Sequence, residues 1–302
     1  MISESADAPK AGGGKRFRRL IFPRRFGCAY NRAASRRFYL HEASGGGQAI
    51  QFRVLGCAGG KAPGCNLTSF LINEELLLEG GSAASGLTIE EQARLTGVVV
   101  SHAHLDHIAE LPYLADNIFG LREDSLKVIG ARDVLEVIQQ SIFNNAVWPN
   151  FCEICHDDTP ILDFSAIEEV ETRSLGGIRI TPYAVDHKGT TFGFIIQDGE
   201  SALLYTSDTG PTEAIWRGAS ETQNLRAIIT EVSFPNRMEE LARMTRHMTP
   251  VMLHAEMRKM PPGIPVYIFH IKAQYHDETR AEIEALNESR VQLLEEGMTY
   301  HL

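Results

Sequence analysis

Gly97-Val-Val-Val-Ser-His-Ala-His-Leu-Asp-His107 decides how the rest of the chain is read. The apolar run Gly97 to Val100 is short enough for a strand buried on both faces. Directly after it stand four residues able to bind a cation: His102, His104, Asp106 and His107. His102 and His104 are two apart, so on extended chain their imidazoles point the same way and can share one ion. Asp106 and His107 follow a turn, from which the chain can enter a helix and aim at a second ion. Imidazole and carboxylate donors suit zinc, at Zn–N distances of roughly 2.0–2.1 Å, with manganese or iron as substitutes. A polar loop with accidental histidines rarely gathers four such residues behind a buried strand.

Upstream of that loop, Ile50, Phe52 and Val54 alternate and predict a strand, and the short apolar runs Ser69 to Ile72 and Leu76 to Glu79 predict two more. Thr88 with Glu91 forms a capping box that opens a short helix. Downstream, Val134, Val137, Ile138 and Ile142 fall at helical spacing and predict an amphipathic helix over 132–145. The second half continues the theme. Strands are expected at Ile178 to Val185, Phe192 to Gln197, Ala202 to Thr206, Ala227 to Glu231 and Val266 to Phe269, with helices at 236–247, 250–258 and 277–287. Neither an internal repeat nor a linker interrupts the chain after residue 48, so 48–302 reads as one four-layered α/β catalytic domain.

The formal charge of −10 is unevenly spread. Residues 1–47 carry ten Lys/Arg against Glu4, Asp7 and Glu42, a net +7, which leaves −17 on the rest. This stretch has no apolar periodicity and reads as a disordered basic leader. Its Arg-rich, acid-poor character has some likeness to an organellar presequence, and it lacks the apolar stretch of a secretory signal. The acidic body repels polyanions at long range, so nucleic acid is not the expected partner, whereas a small anion held by metal ions fits. With 43% hydrophobic residues and no apolar run near the roughly 18 that a membrane span requires, no membrane partner is expected. Cys28, Cys57, Cys65, Cys152 and Cys155 are odd in number and irregular in spacing. That pattern points to a reducing compartment and a cytoplasmic location, with organellar or periplasmic targeting by the leader left open.

His-x-His-x-Asp-His, here His102 to His107, resembles the signature of the metallo-β-lactamase superfamily. The resemblance implies an αβ/βα sandwich and three further ligands at the ends of later strands. His187 ends the strand of Ile178 to Val185, Asp208 follows Ala-Leu-Leu-Tyr-Thr-Ser, and His270 follows Val-Tyr-Ile-Phe. Order and strand-end placement agree over residues 50–276. The resemblance then assigns His102, His104 and His187 to one divalent ion, Asp106, His107 and His270 to a second, and Asp208 to both. Relatives often carry Asp-Cys-Gly or Asp-x-Gly where this chain has Leu76-Leu-Leu-Glu-Gly-Gly81, so Glu79 stands in the place of a supporting Asp.

Within the superfamily the likeness is to class-II 3',5'-cyclic-nucleotide phosphodiesterases, and next to tRNase Z. Leu55-Gly-Cys-Ala-Gly-Gly60 followed by Thr68-Ser-Phe-Leu-Ile72 resembles the opening of both. His102 to Ile108 fits the phosphodiesterase form His-x-His-Leu-Asp-His-aliphatic, and Trp148-Pro-Asn-Phe151 resembles the same branch. Glu110, Pro112 and Tyr113 depart from it. Glu231, in Ile-Ile-Thr-Glu-Val-Ser-Phe, and His247, in Arg-His-Met-Thr, resemble the dyad beside the leaving group in phosphodiester-cleaving relatives, a surface helix histidine being the alternative for His247. The implied activity is hydrolysis of a 3',5'-cyclic nucleotide such as cAMP to the 5'-monophosphate, through a metal-bridging hydroxide oriented by Asp106. A small phosphodiester is then the expected substrate, and a homodimer is compatible with this. Rival readings are a tRNase Z-like RNA 3'-processing endonuclease, a hydrolase of another small substrate on the same fold, and a non-catalytic binding protein. Only twenty residues separate His187 from Asp208, and no Gly/Pro-rich basic arm stands in the body, which counts against the nuclease. A complete ligand set counts against the binding protein.

Other motifs are set aside. Cys152-Glu-Ile-Cys155-His156 has the form of a haem-attachment or redox motif but lacks a second cysteine pair or an axial-ligand context. Gly56 to Gly60 has neither nucleotide-loop spacing, and nothing requires a bond between Cys57 and Cys65. His41, His254, His276 and His301 have no partners in the metal scheme.

Overall fold

The structure, a computed structural model, describes residues 50–199 and 201–302. The basic leader, with Cys28 and His41, lies outside the described residues. Two seven-stranded sheets face each other. In spatial order the first comprises Thr299–His301, Gln51–Gly56, Ser69–Ile72, Leu76–Leu78, Gly97–Val99, Leu126–Gly130 and Leu162–Ala166. The second comprises Val291–Leu293, Val266–Phe269, Leu225–Glu231, Ser201–Tyr205, Phe192–Asp198, Ile178–Ala184 and Arg173–Leu175. Helices cover the outer faces, giving the four layers expected from the sequence.

The reason the strands read as plain apolar runs is that both of their faces are covered. Along Val266–Phe269, Tyr267 and Phe269 join the core between the sheets, while Val266 and Ile268 pack outward with Trp216, Leu253 and Ile283 of the flanking helices. Ser201–Tyr205 divides the same way, Leu203 and Tyr205 inward, Ala202 and Leu204 outward. Phe70 of the first sheet meets Tyr205 and Phe269 of the second edge-on, with ring centroids 5.7 and 5.8 Å apart. Each fully buried side chain of this size stabilises the fold by about 1.5–3 kcal/mol.

The elements that the alternation pattern missed include the mostly buried strand Leu126–Gly130 as well as short, poorly buried ones. Thr299–His301 alternates exposed and half-buried residues, and its partner Gln51–Arg53 lies at the other end of the described chain. Tyr300 stacks on Phe52 at 4.8 Å, a contact no local window can reveal. The helix expected over 132–145 stops at Ser141, and Asn145 adopts a left-handed backbone (φ 63°) in the turn beyond.

Strand direction positions the site. Ser201–Tyr205, Leu225–Glu231 and Val266–Phe269 are mutually parallel, and Ile178–Ala184 joins their direction through the antiparallel Phe192–Asp198 between. Their C-terminal ends therefore share one edge of the sheet. His187, Asp208, Glu231 and His270 all stand at or just beyond those ends.

Candidate metal centre

The loop after Gly97–Val99 turns at His104 into the short helix Leu105–Ile108, which carries Asp106 and His107 on its single turn. A side chain on Gly81 would fall on the carbonyl of Asp106, so only glycine lets the Glu79-Gly80-Gly81 turn approach this helix. Gly59 does the same for the opposite wall, where a side chain would meet the carbonyl of His270. The Gly-rich stretch Gly56 to Gly60 is thus a close backbone approach.

Ligand-competent atoms of His102, His104, His187 and Asp208 lie within 4.8 Å of one another, and so do those of Asp106, His107, Asp208 and His270. Asp208 belongs to both groups. Its Oδ1 is 3.3 Å from His107 Nε2, and its Oδ2 is 3.2 Å from His270 Nε2 and 3.8 Å from His102 Nε2. His187 Nε2 is 3.2 Å from His104 Nδ1, and Asp106 Oδ2 is 3.2 Å from His270 Nε2. All seven sequence-derived candidates therefore converge, in the two groups expected. His104 and Asp106 are the solvent-facing members, and the others are buried.

Charge and burial compete here. Burial disfavours the charged form of His102, and the charge of His107 adds to that, holding its pKa well below the ordinary value. Burial opposes the charge on His107 too, but Asp208 and Glu79 outweigh it and raise its pKa well above normal. Burial would likewise neutralise Asp208, yet His270 and His107 keep it ionised. His102 Nε2, both ring nitrogens of His107 and Asp208 Oδ1 are buried without a hydrogen-bond partner. Such orphans cost about 1–3 kcal/mol each, a cost that bound cations would remove for His102 Nε2, His107 Nε2 and Asp208 Oδ1. The residues present fit divalent metal ions.

The supporting groups are less visible in the sequence. Glu79, in left-handed backbone (φ 65°), puts Oε1 3.4 Å from His107 Nδ1 and accepts hydrogen bonds from Ser101 N and the Tyr205 hydroxyl. Ser207 donates to Ser101 Oγ, which sits 2.9 Å from His102 Nδ1. The carbonyl of Arg246 is 3.0 Å from His187 Nδ1, and the Arg246 guanidinium donates to the carbonyl of His187. Such contacts fix imidazole tautomer and direction. Lys272 Nζ donates to Gly59 O and lies 3.8 Å from Asp106 Oδ2.

Glu231 and His247 also come together. Glu231 Oε1 is 2.6 Å from His247 Nδ1, both residues are buried, and the His247 ring lies 4.9 Å from that of His187 and 5.4 Å from that of His270. Burial works against a charged His247, but the Glu231 carboxylate outweighs it and raises the pKa above the ordinary value.

Residues 81–292 match the family described as the beta-lactamase superfamily domain. The chain belongs to the beta-lactamase superfamily. Its two mixed, helix-flanked sheets are the metallo-β-lactamase fold, and it is a hydrolase of that fold. Among curated relatives, the probable 3',5'-cyclic-nucleotide phosphodiesterase of Yersinia pestis is 30% identical over 280 residues, covering 75% of this chain and 79% of that protein. Unliganded yeast PDE1 superposes with a TM-score of 0.72 at 16% identity, over 84% of this chain and 100% of that one. The short form of human tRNase Z gives a TM-score of 0.61 at 15% identity, over 83% and 98%. At those identities the two structures speak for the fold alone.

The remaining candidates stand apart from the superfamily's ligand groups. Cys152 is half-buried, its thiol pushed up to about 11 first by burial, and Cys155 is exposed; neither joins a ligand group among the described residues. Cys57 is pushed up to about 12, chiefly by burial. His254 Nδ1 faces Glu288 at 3.5 Å, His276 is the first residue of the helix His276–Ala285, and His301 is exposed on the edge strand. No helix among the described residues is long and apolar enough to cross a membrane.

Proposed function

We propose that this hydrolase is a phosphodiesterase that converts a 3',5'-cyclic nucleotide to the 5'-monophosphate, using two divalent ions at the His/Asp groups that share Asp208. The observation that carries the reading is the buried Glu231–His247 pair packed against two overlapping ligand groups. The name of the Yersinia pestis relative supports the substrate class. His102, His104 and His187 with Asp208 would hold one ion, and Asp106, His107 and His270 with Asp208 the other. Zn²⁺ suits this imidazole and carboxylate set best, with Mn²⁺ or Fe²⁺ as substitutes. When bound, such ions offset charge on the phosphoryl oxygens and acidify the attacking water.

The chain's own groups complete the chemistry. Asp106, the solvent-facing carboxylate of the set, accepts a hydrogen bond from the attacking water and orients it. His247 donates Nδ1–H to Glu231, which leaves Nε2 to carry the mobile proton. As the bond from phosphorus to the ribose O3' breaks, that proton passes to O3' and the 3'-hydroxyl leaves neutral. Hydrolysis assays with 3',5'-cyclic nucleotides, pre-tRNA and bis(p-nitrophenyl) phosphate test this reading. Turnover of the cyclic nucleotide well above that of pre-tRNA is expected. Efficient pre-tRNA trimming with no cyclic-nucleotide turnover would replace the reading with the nuclease.

A further inference from the structure

Glu231, His247 and His270 form a third group whose ligand-competent atoms lie within 4.8 Å of one another, all buried. Its centre is already filled. Ser233 Oγ is 2.7 Å from Glu231 Oε2, 2.8 Å from His270 Nδ1 and 3.2 Å from His247 Nδ1. A hydroxyl stands where an ion would otherwise sit, and Ser233 itself is fully buried.

The proton inventory makes this arrangement directional. A His270 that uses Nε2 for a metal carries its ring proton on Nδ1 and donates it to Ser233 Oγ. The Ser233 hydroxyl must then send its own proton elsewhere, and Glu231 Oε2 is the acceptor within reach. Glu231 Oε1 takes His247 Nδ1–H, and the backbone N–H of Thr209 donates to the same oxygen at 2.9 Å. The resulting chain runs from His270 through Ser233 to Glu231, where it meets His247.

We infer that Ser233 is a positioning residue that couples the metal ligand His270 to the Glu231–His247 proton donor. The inference rests on the function proposed above. It assigns Ser233 two effects that a packing role would not produce together. It holds His270 in the tautomer that leaves Nε2 free for metal, and it holds the Glu231 carboxylate in the rotamer that receives His247.

The test uses the full chain and the variants Ser233→Ala, Ser233→Thr and His247→Ala. Metal-stripped protein is titrated with Zn²⁺ against a chromophoric chelator, and turnover is compared for a cyclic nucleotide and for bis(p-nitrophenyl) phosphate, whose leaving group needs little protonation. Ser233→Ala is expected to weaken one class of metal site by roughly 10- to 100-fold. It should also lower cyclic-nucleotide turnover about 10-fold more than turnover of the nitrophenyl ester. Ser233→Thr keeps the hydroxyl and should recover the wild-type ratio of the two substrates. Unchanged metal affinity in Ser233→Ala, or equal losses on both substrates, overturns the inference. His247→Ala separates the two levels of the argument. If it loses both substrates equally the proton-donor reading itself fails, whereas a selective loss in His247→Ala without one in Ser233→Ala removes only the coupling.

Discussion

The first sheet gives the metal centre four residues from a single loop, His102 to His107, whereas the second gives it His187, Asp208, Glu231 and His270 from the ends of four strands. In the loop half, geometry is local. One short helix aims Asp106 and His107 together, and one buried carboxylate, Glu79, stands behind the loop. In the strand half, geometry comes from sheet pairing, and three of the four side chains have their own support: the Arg246 carbonyl for His187, Ser233 for His270, and the backbone N–H groups of Thr209 and Met248 for Glu231. Left-handed backbone at Ser207 and His270, φ 59° and 71°, shows how sharply the chain must turn there to bring separate strands to one point.

Asp208 is where the halves meet, so its loss should be the most damaging. Asp208→Ala is expected to lose metal and activity together, read by metal analysis of the purified variant beside its turnover. Full metal content in that variant would show that the halves bind independently. Next in size is His247→Ala, which touches only the strand half. Turnover of the cyclic nucleotide should fall by roughly 10²- to 10⁴-fold with metal content intact. The fall should shrink for a nitrophenolate leaving group, and a uniform fall would assign His247 to folding or binding.

The same contrast explains what could be read from the chain. His102 to His107 are contiguous, and their spacing alone states the chemistry. His187, Asp208 and His270 are separated by whole strands, so only the family resemblance singled them out, and the fold then brings them within reach. Ser233, Tyr205, Arg246 and Lys272 gave no signal, because each acts through a neighbour that sheet packing supplies. The short strands Val291–Leu293 and Thr299–His301 escaped for a related reason. Their pairing partners are distant, and their half-exposed residues do not resemble the apolar core runs.

Glu79 offers a smaller, sharper probe of the loop half. Glu79→Gln preserves its shape but removes the charge beside His107, and metal affinity should weaken about 10-fold while the contacts of Arg246 to His187 and of Ser233 to His270 are untouched. An unchanged affinity, measured by chelator competition, would show that the helix alone fixes the loop ligands. Smallest of all should be the effect of deleting residues 1–47. A cyclic nucleotide presents a single phosphate charge for the metal centre, so we expect turnover to stay nearly unchanged, with weak salt dependence. RNA binding through the leader's arginines would fall steeply with salt. Loss of activity on truncation, together with such a slope, would move recognition out of the catalytic body.

The central claim is that both groups fill and that Asp208 joins them into one centre. Stepwise Zn²⁺ addition to the metal-stripped full chain, with bound metal and cyclic-nucleotide turnover read on the same samples, tests it most directly. We expect close to two ions per chain, with full turnover only as the second is taken up. A metal-free protein that is fully active, or full activity with a single ion bound, would contradict it.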